Sequence, residues 1–71
     1  MANLTEKSIG YTGAIIDVVE SDFTSRLREI GFTKGEELRL VGIAPFGEPL
    51  LVELRGAIVA LRKKEAQCIQ V

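Results

Sequence analysis

Few residues in this sequence could do chemistry on their own. The chain of 71 residues contains no His and a single Cys, and the carboxylates Asp17, Glu20 and Asp22 lie near one another in sequence. Iron(II) and zinc sites usually combine His, Cys and carboxylate ligands, so this inventory argues against a dedicated metal site. A strand end followed by a helix cap explains the three carboxylates without a metal. We therefore predict no metal ligands.

The same inventory argues against catalysis. Cys68 lacks the His base or second thiol that would activate it, and we interpret it as a small strand residue. The glycine-containing stretches GFTKG and GEP lack the glycine–lysine–hydroxyl order of a phosphate-binding loop. We expect a protein that is not an enzyme, with neither catalytic residues nor a bound cofactor.

A basic cluster at Arg62, Lys63 and Lys64 is the strongest electrostatic feature, with Arg55 a few residues upstream. One interpretation is a solvated end of the fold. The other is a docking patch for an acidic partner surface, where charge steers the encounter. Nucleic acid is disfavoured, because nine basic and ten acidic residues give a net charge of −1 and acids surround the cluster.

Alternating apolar residues predict short strands, and the chain length predicts one domain over 1–71. The predicted strands are 14–19, 36–44, 50–55, 57–62 and 68–71. Turn residues separate them at PFGEP (45–49) and Gly56, and KKEA (63–66) is long enough for one helical turn. We expect a mainly β fold, a small closed or partly closed barrel, because closure removes exposed strand edges.

One segment changes period. Phe23, Leu27 and Ile30 recur at spacings of four and three, which predicts an amphipathic helix over 21–31. Ser21 or Asp22 is a suitable residue for its N-terminal cap, and a glycine follows Ile30 at its end. A helix of two to three turns is stable only when its apolar stripe packs against the sheet or another molecule.

The order and spacing of these features resemble the FeoA family of bacterial ferrous-iron transport. The resemblance rests on Gly10, Gly13, RLREIGFTKGEEL (26–38), PFGEP (45–49), Gly56 and IVALRKKEAQCIQV (58–71). It implies an SH3-like barrel of about five strands with a helix inserted after the first strand. It also implies an accessory protein that binds the cytosolic GTP-binding domain of the membrane iron transporter FeoB. The hairpin tip departs from the family, which often has Asp where this chain has Glu48.

We predict partner-binding residues in two places. The predicted helix supplies Leu27 and Ile30, and Phe32 follows the glycine at its end. The basic cluster supplies Arg62 and Lys63. Apolar stripes usually belong to the core, but a small barrel has limited inner surface. A residue left outside would form an apolar contact patch, and Leu27 and Phe32 are the contacts we expect.

Three alternatives stay open. The stretch 26–38 also resembles the helix–turn–strand unit of AbrB-like DNA-binding proteins, although the upstream residues VVESDFTS are acidic. The barrel is similar as well to the SH3-like domain of iron-dependent repressors. A third alternative is a modulator of GTP hydrolysis, with Arg26, Arg28 or Arg62 acting in trans on the transporter's nucleotide site.

The sequence also carries expectations about location. The N-terminus lacks the pattern of a signal peptide, and no apolar run approaches the roughly 20 residues that cross a bilayer. We expect a cytoplasmic protein that reaches the inner membrane only through its partner. Weak self-association is left open.

Overall fold

The computed structural model describes residues 2–71 and contains six strands, two α-helices and a 3₁₀ turn at Leu4–Glu6. The strands are β1 (Thr12–Ala14), β2 (Asp17–Val18), β3 (Glu37–Ile43), β4 (Leu50–Leu54), β5 (Ala57–Leu61) and β6 (Ile69–Gln70). The helices are α1 (Thr24–Ile30) and α2 (Lys63–Ala66). The prediction of a mainly β fold with one helix inserted near the first strand and a helical turn at 63–66 is confirmed.

The strands form two antiparallel sheets. One has the order β1-β3-β4-β5 and the other pairs β2 with β6. The predicted single strand 14–19 is therefore wrong, because it divides between the two sheets. Consecutive amides show where it divides: Ile15 N–H donates to Glu36 O, whereas Ile16 N–H donates to Gln70 O, each at 2.8 Å. The chain turns from one sheet to the other at this point.

Helix α1 begins later than predicted. Ser21 and Asp22 lie in a turn before it, where the Ser21 hydroxyl accepts the Phe23 N–H at 3.1 Å. Thr24 is buried, and its hydroxyl accepts the Ser21 N–H at 2.7 Å and donates to Val19 O at 3.2 Å. These side-chain bonds hold the turn in place of a helix cap, because local Ser and Thr hydrogen bonds compete with the helix.

The end of α1 is the predicted glycine cap. Gly31 has φ 123°, its N–H donates to Arg28 O at 3.1 Å, and Phe32 N–H donates to Leu27 O at 2.9 Å. These are the two hydrogen bonds of a Schellman motif, which usually brings the residue after the glycine back against the last helical turn. Leu27 and Phe32 are accordingly both fully buried.

A two-residue turn joins β4 to β5. Arg55 (φ 53°) and Gly56 (φ 81°) both have positive φ, and Leu54 pairs with Ala57 directly across the turn. This backbone matches a type I′ hairpin, whose twist suits two antiparallel strands. Tight turns of this kind allow the sheet to be built from short strands.

One core fills the space between the two sheets and α1. Its members are buried apolar residues from nearly every element: Leu4, Ile15, Val18, Leu27, Phe32, Leu38, Leu40, Leu50, Val52, Leu54, Leu61, Ala66 and Ile69. Neither helix within residues 2–71 is long and apolar enough to cross a membrane.

Closure of the barrel is incomplete. β5 pairs with β4 on one side and has no second strand partner among residues 2–71. The expectation that closure removes strand edges is therefore corrected, because a five-residue edge remains next to the basic cluster that follows it in the chain.

Candidate interaction site

Carboxylates occupy the N-terminus of α2. Arg62 N–H donates to Glu65 Oε1 at 2.8 Å, and Lys63 N–H donates to Glu48 Oε1 at 3.0 Å. The first amides of a helix have no partner inside it, so both carboxylates satisfy otherwise free donors. Glu48 lies in the loop between β3 and β4, and its bond therefore ties that loop to α2.

Glu65 also joins α2 to α1. Its side chain is 2% exposed, and its second carboxylate oxygen accepts a hydrogen bond from the guanidinium of Arg26, whose side chain is 57% exposed. A buried carboxylate is stable only when its oxygens are hydrogen-bonded, and here both have a partner. The Arg26–Glu65 pair thus fixes α1 beside α2. Sequence reasoning missed this role, although Glu three residues after a helix-starting position is a known capping signal.

Two adjoining depressions lie between α1 and α2, and we call them together the α1–α2 groove. The larger has a volume of about 520 Å³ and is lined by Phe23, Glu48, Arg62, Lys63, Lys64 and Gln67. The smaller, about 360 Å³, is lined by Asp22, Phe23, Arg26, Arg62 and Glu65. Phe23 and Arg62 belong to both, so the two depressions form one continuous surface.

The groove presents three cations beside one half-buried aromatic side chain. Arg62, Lys63 and Lys64 are exposed, and none of them makes a side-chain ion pair within residues 2–71. Phe23 is half-buried and packs against the core. Unpaired cations around an apolar surface suit a partner with carboxylates next to apolar side chains.

The structure separates the five residues predicted to bind a partner. Arg62 and Lys63 lie together in the groove. Ile30 is half-buried at the end of α1 and lies outside both depressions. Leu27 and Phe32 are 0% exposed. Their prediction as surface contacts is corrected: the helical stripe of α1 directs Leu27 into the core, and the Schellman motif turns Phe32 back into it.

The arginines proposed to act in trans differ in availability. Arg26 is bound to Glu65, and Arg28 lies 3.7 Å from a carboxylate oxygen of Glu20. Arg62 has no carboxylate partner in the described part of the chain, which leaves its guanidinium free to reach another molecule.

The residues considered as metal ligands do not converge. Within residues 2–71, no three side chains of His, Cys, Asp or Glu come together. Cys68 lies in the turn before β6 rather than in the predicted strand, and its thiol is 3.3 Å from Ser21 Oγ and 3.5 Å from Lys64 O. The chemistry of the groove is therefore that of charge and hydrogen bonding.

A third ion pair lies away from the groove. Arg55, at the tip of the β4–β5 turn, donates to the carboxylate of Glu36. That hydrogen bond, more than the charge attraction, holds the pKa of Glu36 below its ordinary value. Both side chains are partly exposed, so solvent screens the pair and it adds little to stability.

These features define a small SH3-like domain with a charged groove between its two helices. Comparison with solved structures supports the class. The FeoA of Stenotrophomonas maltophilia, solved in complex with zinc and described as a procaryotic SH3 domain protein, is 37% identical with a TM-score of 0.84, covering 96% of this chain and 86% of that one. The FeoA-like protein of Clostridium acetobutylicum is 35% identical with a TM-score of 0.88, covering 94% and 79%.

The family follows from the sequence itself. The family model for the FeoA domain matches residues 2–71, and the chain belongs to that family. A search of curated protein sequences gave no significant match. A manganese-dependent transcriptional repressor shares the fold, with a TM-score of 0.85 and 25% identity over 94% of this chain and 38% of the repressor. FeoA domains are small accessory domains of iron transport and are generally non-catalytic.

Proposed function

We propose that this protein is a non-catalytic docking module of ferrous-iron uptake that binds the cytosolic GTP-binding domain of a FeoB-type membrane transporter through the α1–α2 groove. The observation that carries the proposal is the set of three exposed cations without ion-pair partners in the described chain, beside half-buried Phe23. Family membership supplies the transport context. In this proposal the protein resides in the cytoplasm and reaches the inner membrane through its partner.

The groove is held open by the fold rather than by the partner. The Arg26–Glu65 pair fixes one wall, and the bond from Lys63 N–H to Glu48 fixes the other. A preformed surface loses less conformational entropy on binding than a mobile one, so modest contacts suffice for a regulatory interaction.

The test is a binding titration of the isolated cytosolic domain, with single charge reversals in this chain. Lys63→Glu changes a groove cation, and Lys34→Glu is the matched control, since Lys34 is exposed and also lacks an ion pair within residues 2–71. Reversal of a steering charge lowers the association rate and flattens its salt dependence. We expect Lys63→Glu to slow association by about threefold or more, and Lys34→Glu to leave it unchanged. Equal effects of the two variants would place docking elsewhere.

Modulation of GTP hydrolysis is a separate outcome of the same experiment. Arg62 is the arginine of the groove with no carboxylate partner among the described residues. GTP turnover by the partner domain, measured with this protein and with Arg62→Gln, distinguishes the two roles. A docking module leaves turnover unchanged, whereas an arginine acting in trans would raise it, typically by orders of magnitude.

A further inference from the structure

The edge of β5 carries backbone groups that the fold leaves unused. Leu40 N–H donates to Tyr11 O at 2.8 Å, on the β1 side of β3. The amides of a strand point alternately to its two sides, so the backbone N–H and C=O groups of Arg39 face β4. Its register partner there is Glu53. Because the backbone groups of Glu53 face β3, the N–H and C=O groups of its neighbours Val52 and Leu54 face β5.

The same alternation fixes β5. Val59 and Ala57 pair with Val52 and Leu54, so their amides face β4. Ile58 and Ala60 therefore direct their N–H and C=O groups away from the sheet. The type I′ turn requires the same arrangement, since its closing pair, Leu54 and Ala57, is a hydrogen-bonded one. The backbone bonds of residues 2–71 outside regular elements include none from Ile58 or Ala60.

Ile58 and Ala60, whose backbone groups face outwards, also carry exposed apolar side chains. β5 reads AIVAL, with no charge and no proline, and Ile58 is 57% exposed. On the same face of the neighbouring strand, Leu51 is 37% exposed and pairs in register with Ala60. Natural proteins usually protect such an edge with charges, prolines or a covering segment, because it is a template for another strand. None of these protections is present within β5 itself.

We infer that the β5 edge binds an extended segment of a partner protein as an additional strand, with its apolar residues beside Ile58 and Ala60 and its carboxylates beside Arg62 and Lys63. Charge decides the occupant. β5 ends at Leu61 and leads directly into the cations of the α1–α2 groove, and Arg55 stands at its other end. If two copies of this chain paired antiparallel with Val59 at the centre, Lys63 of each copy would lie opposite Arg55 of the other, which is a like-charge contact.

This inference deepens the proposed function and rests on it for the partner's identity. Main-chain hydrogen bonds give such strand addition its affinity, and alternate side chains give it selectivity. The β5 edge and the groove are continuous through Arg62, so one segment of a partner can use both.

Amide hydrogen exchange on the full chain tests the edge directly. In the free protein, Val59 and Leu61 should exchange slowly, and Ile58 and Ala60 should exchange fast. The probe is a capped nine-residue peptide, DEVTVTVED, with KKVTVTVKK as the charge-reversed control. We expect the acidic peptide to slow exchange at Ile58 and Ala60 by about tenfold or more at saturation, and the basic peptide to have no such effect. Slow exchange of these two amides in the free protein, or no protection by the acidic peptide, would overturn the inference.

Two variants keep the test interpretable. Ala60→Pro removes the outward donor and leaves the β4 ladder intact, because proline is tolerated where a strand amide faces away from its neighbour. Ile58→Glu retains the amide and adds a negative charge to the edge, which should repel the acidic peptide. Both should abolish peptide binding. Normal binding by folded Ile58→Glu contradicts the inference even where Ala60→Pro fails to fold.

The outcome is separable from that of the proposed function. Docking of the transporter domain with Ile58 and Ala60 still unprotected supports the docking function and overturns strand addition. Protection by the peptide without docking of the transporter domain supports the edge site and contradicts the proposed function.

Discussion

The Arg26–Glu65 pair should be the main electrostatic support of the groove. Glu65→Ala removes a helix-terminal hydrogen bond, which contributes about 1 kcal/mol. It also removes the charge-assisted bond to Arg26, which we place at about 1 kcal/mol because the 57% exposure of the Arg26 side chain allows solvent to screen it. The sum of about 2 kcal/mol is a large share of the roughly 5 kcal/mol expected for a small domain. Urea unfolding followed by far-ultraviolet circular dichroism should show a midpoint lower by about 2 M.

A double-mutant cycle isolates the ion pair. Glu65→Gln retains an acceptor for the Arg62 N–H and loses the charge, so Arg26→Ala and Glu65→Gln together measure the coupling, expected at about 1 kcal/mol. Arg28→Ala is the matched control, because its 3.7 Å contact with Glu20 joins two exposed side chains and contributes almost nothing. If Arg26→Ala destabilises the protein no more than Arg28→Ala does, the pair does not hold α1 to α2.

Two further predictions concern the ends of α1 and β4. Gly31→Ala should lower the free energy of unfolding by about 1–2 kcal/mol, because φ 123° is a backbone conformation that a residue with a Cβ adopts only under strain. A urea midpoint equal to that of the unmodified protein would contradict the Schellman cap. The lowered pKa of Glu36 beside Arg55 means that the pair stabilises the fold above the ordinary glutamate pKa and that this contribution disappears as the pH falls through the lowered value. Glu36→Gln should therefore be slightly less stable than the unmodified protein at neutral pH and equal to it in acid. A difference in stability that grows on acidification would contradict the lowered pKa of Glu36.

Local signals in the sequence predicted the parts of the fold that are themselves local. The glycine after Ile30 ends α1, PFGEP forms the loop before β4, and the KKEA turn becomes α2. Each depends on residues within a few positions of one another. The positive φ of Arg55 was not predicted, because only the two-residue length of the hairpin imposes it.

The rest depended on contacts between distant residues. The division of the first strand follows from Ile15 and Ile16 pairing with different sheets, and no local alternation encodes a change of partner. The burial of Phe32 follows from the Schellman motif and the space beneath α1. Glu65 looked like one of several surface acids, and only its approach to Arg26 shows its structural role.

Only some of the residues predicted to bind a partner lie at the surface. Arg62 and Lys63 remain candidates because adjacent cations at a strand end reach solvent in almost any small β fold. Leu27 failed as a contact because its helical stripe faces the core. As a consequence, Leu27→Gln is a poor docking test: it buries an amide and should destabilise the fold by a few kcal/mol whatever the docking surface is.

Docking through the α1–α2 groove is tested most simply by the affinity of this protein for the isolated cytosolic GTP-binding domain, measured by titration calorimetry at low and at physiological salt. If the groove docks that domain, binding should weaken as salt rises and weaken further in Lys63→Glu but not in Lys34→Glu. Absence of binding at low salt, or binding indifferent to both salt and Lys63→Glu, would contradict it.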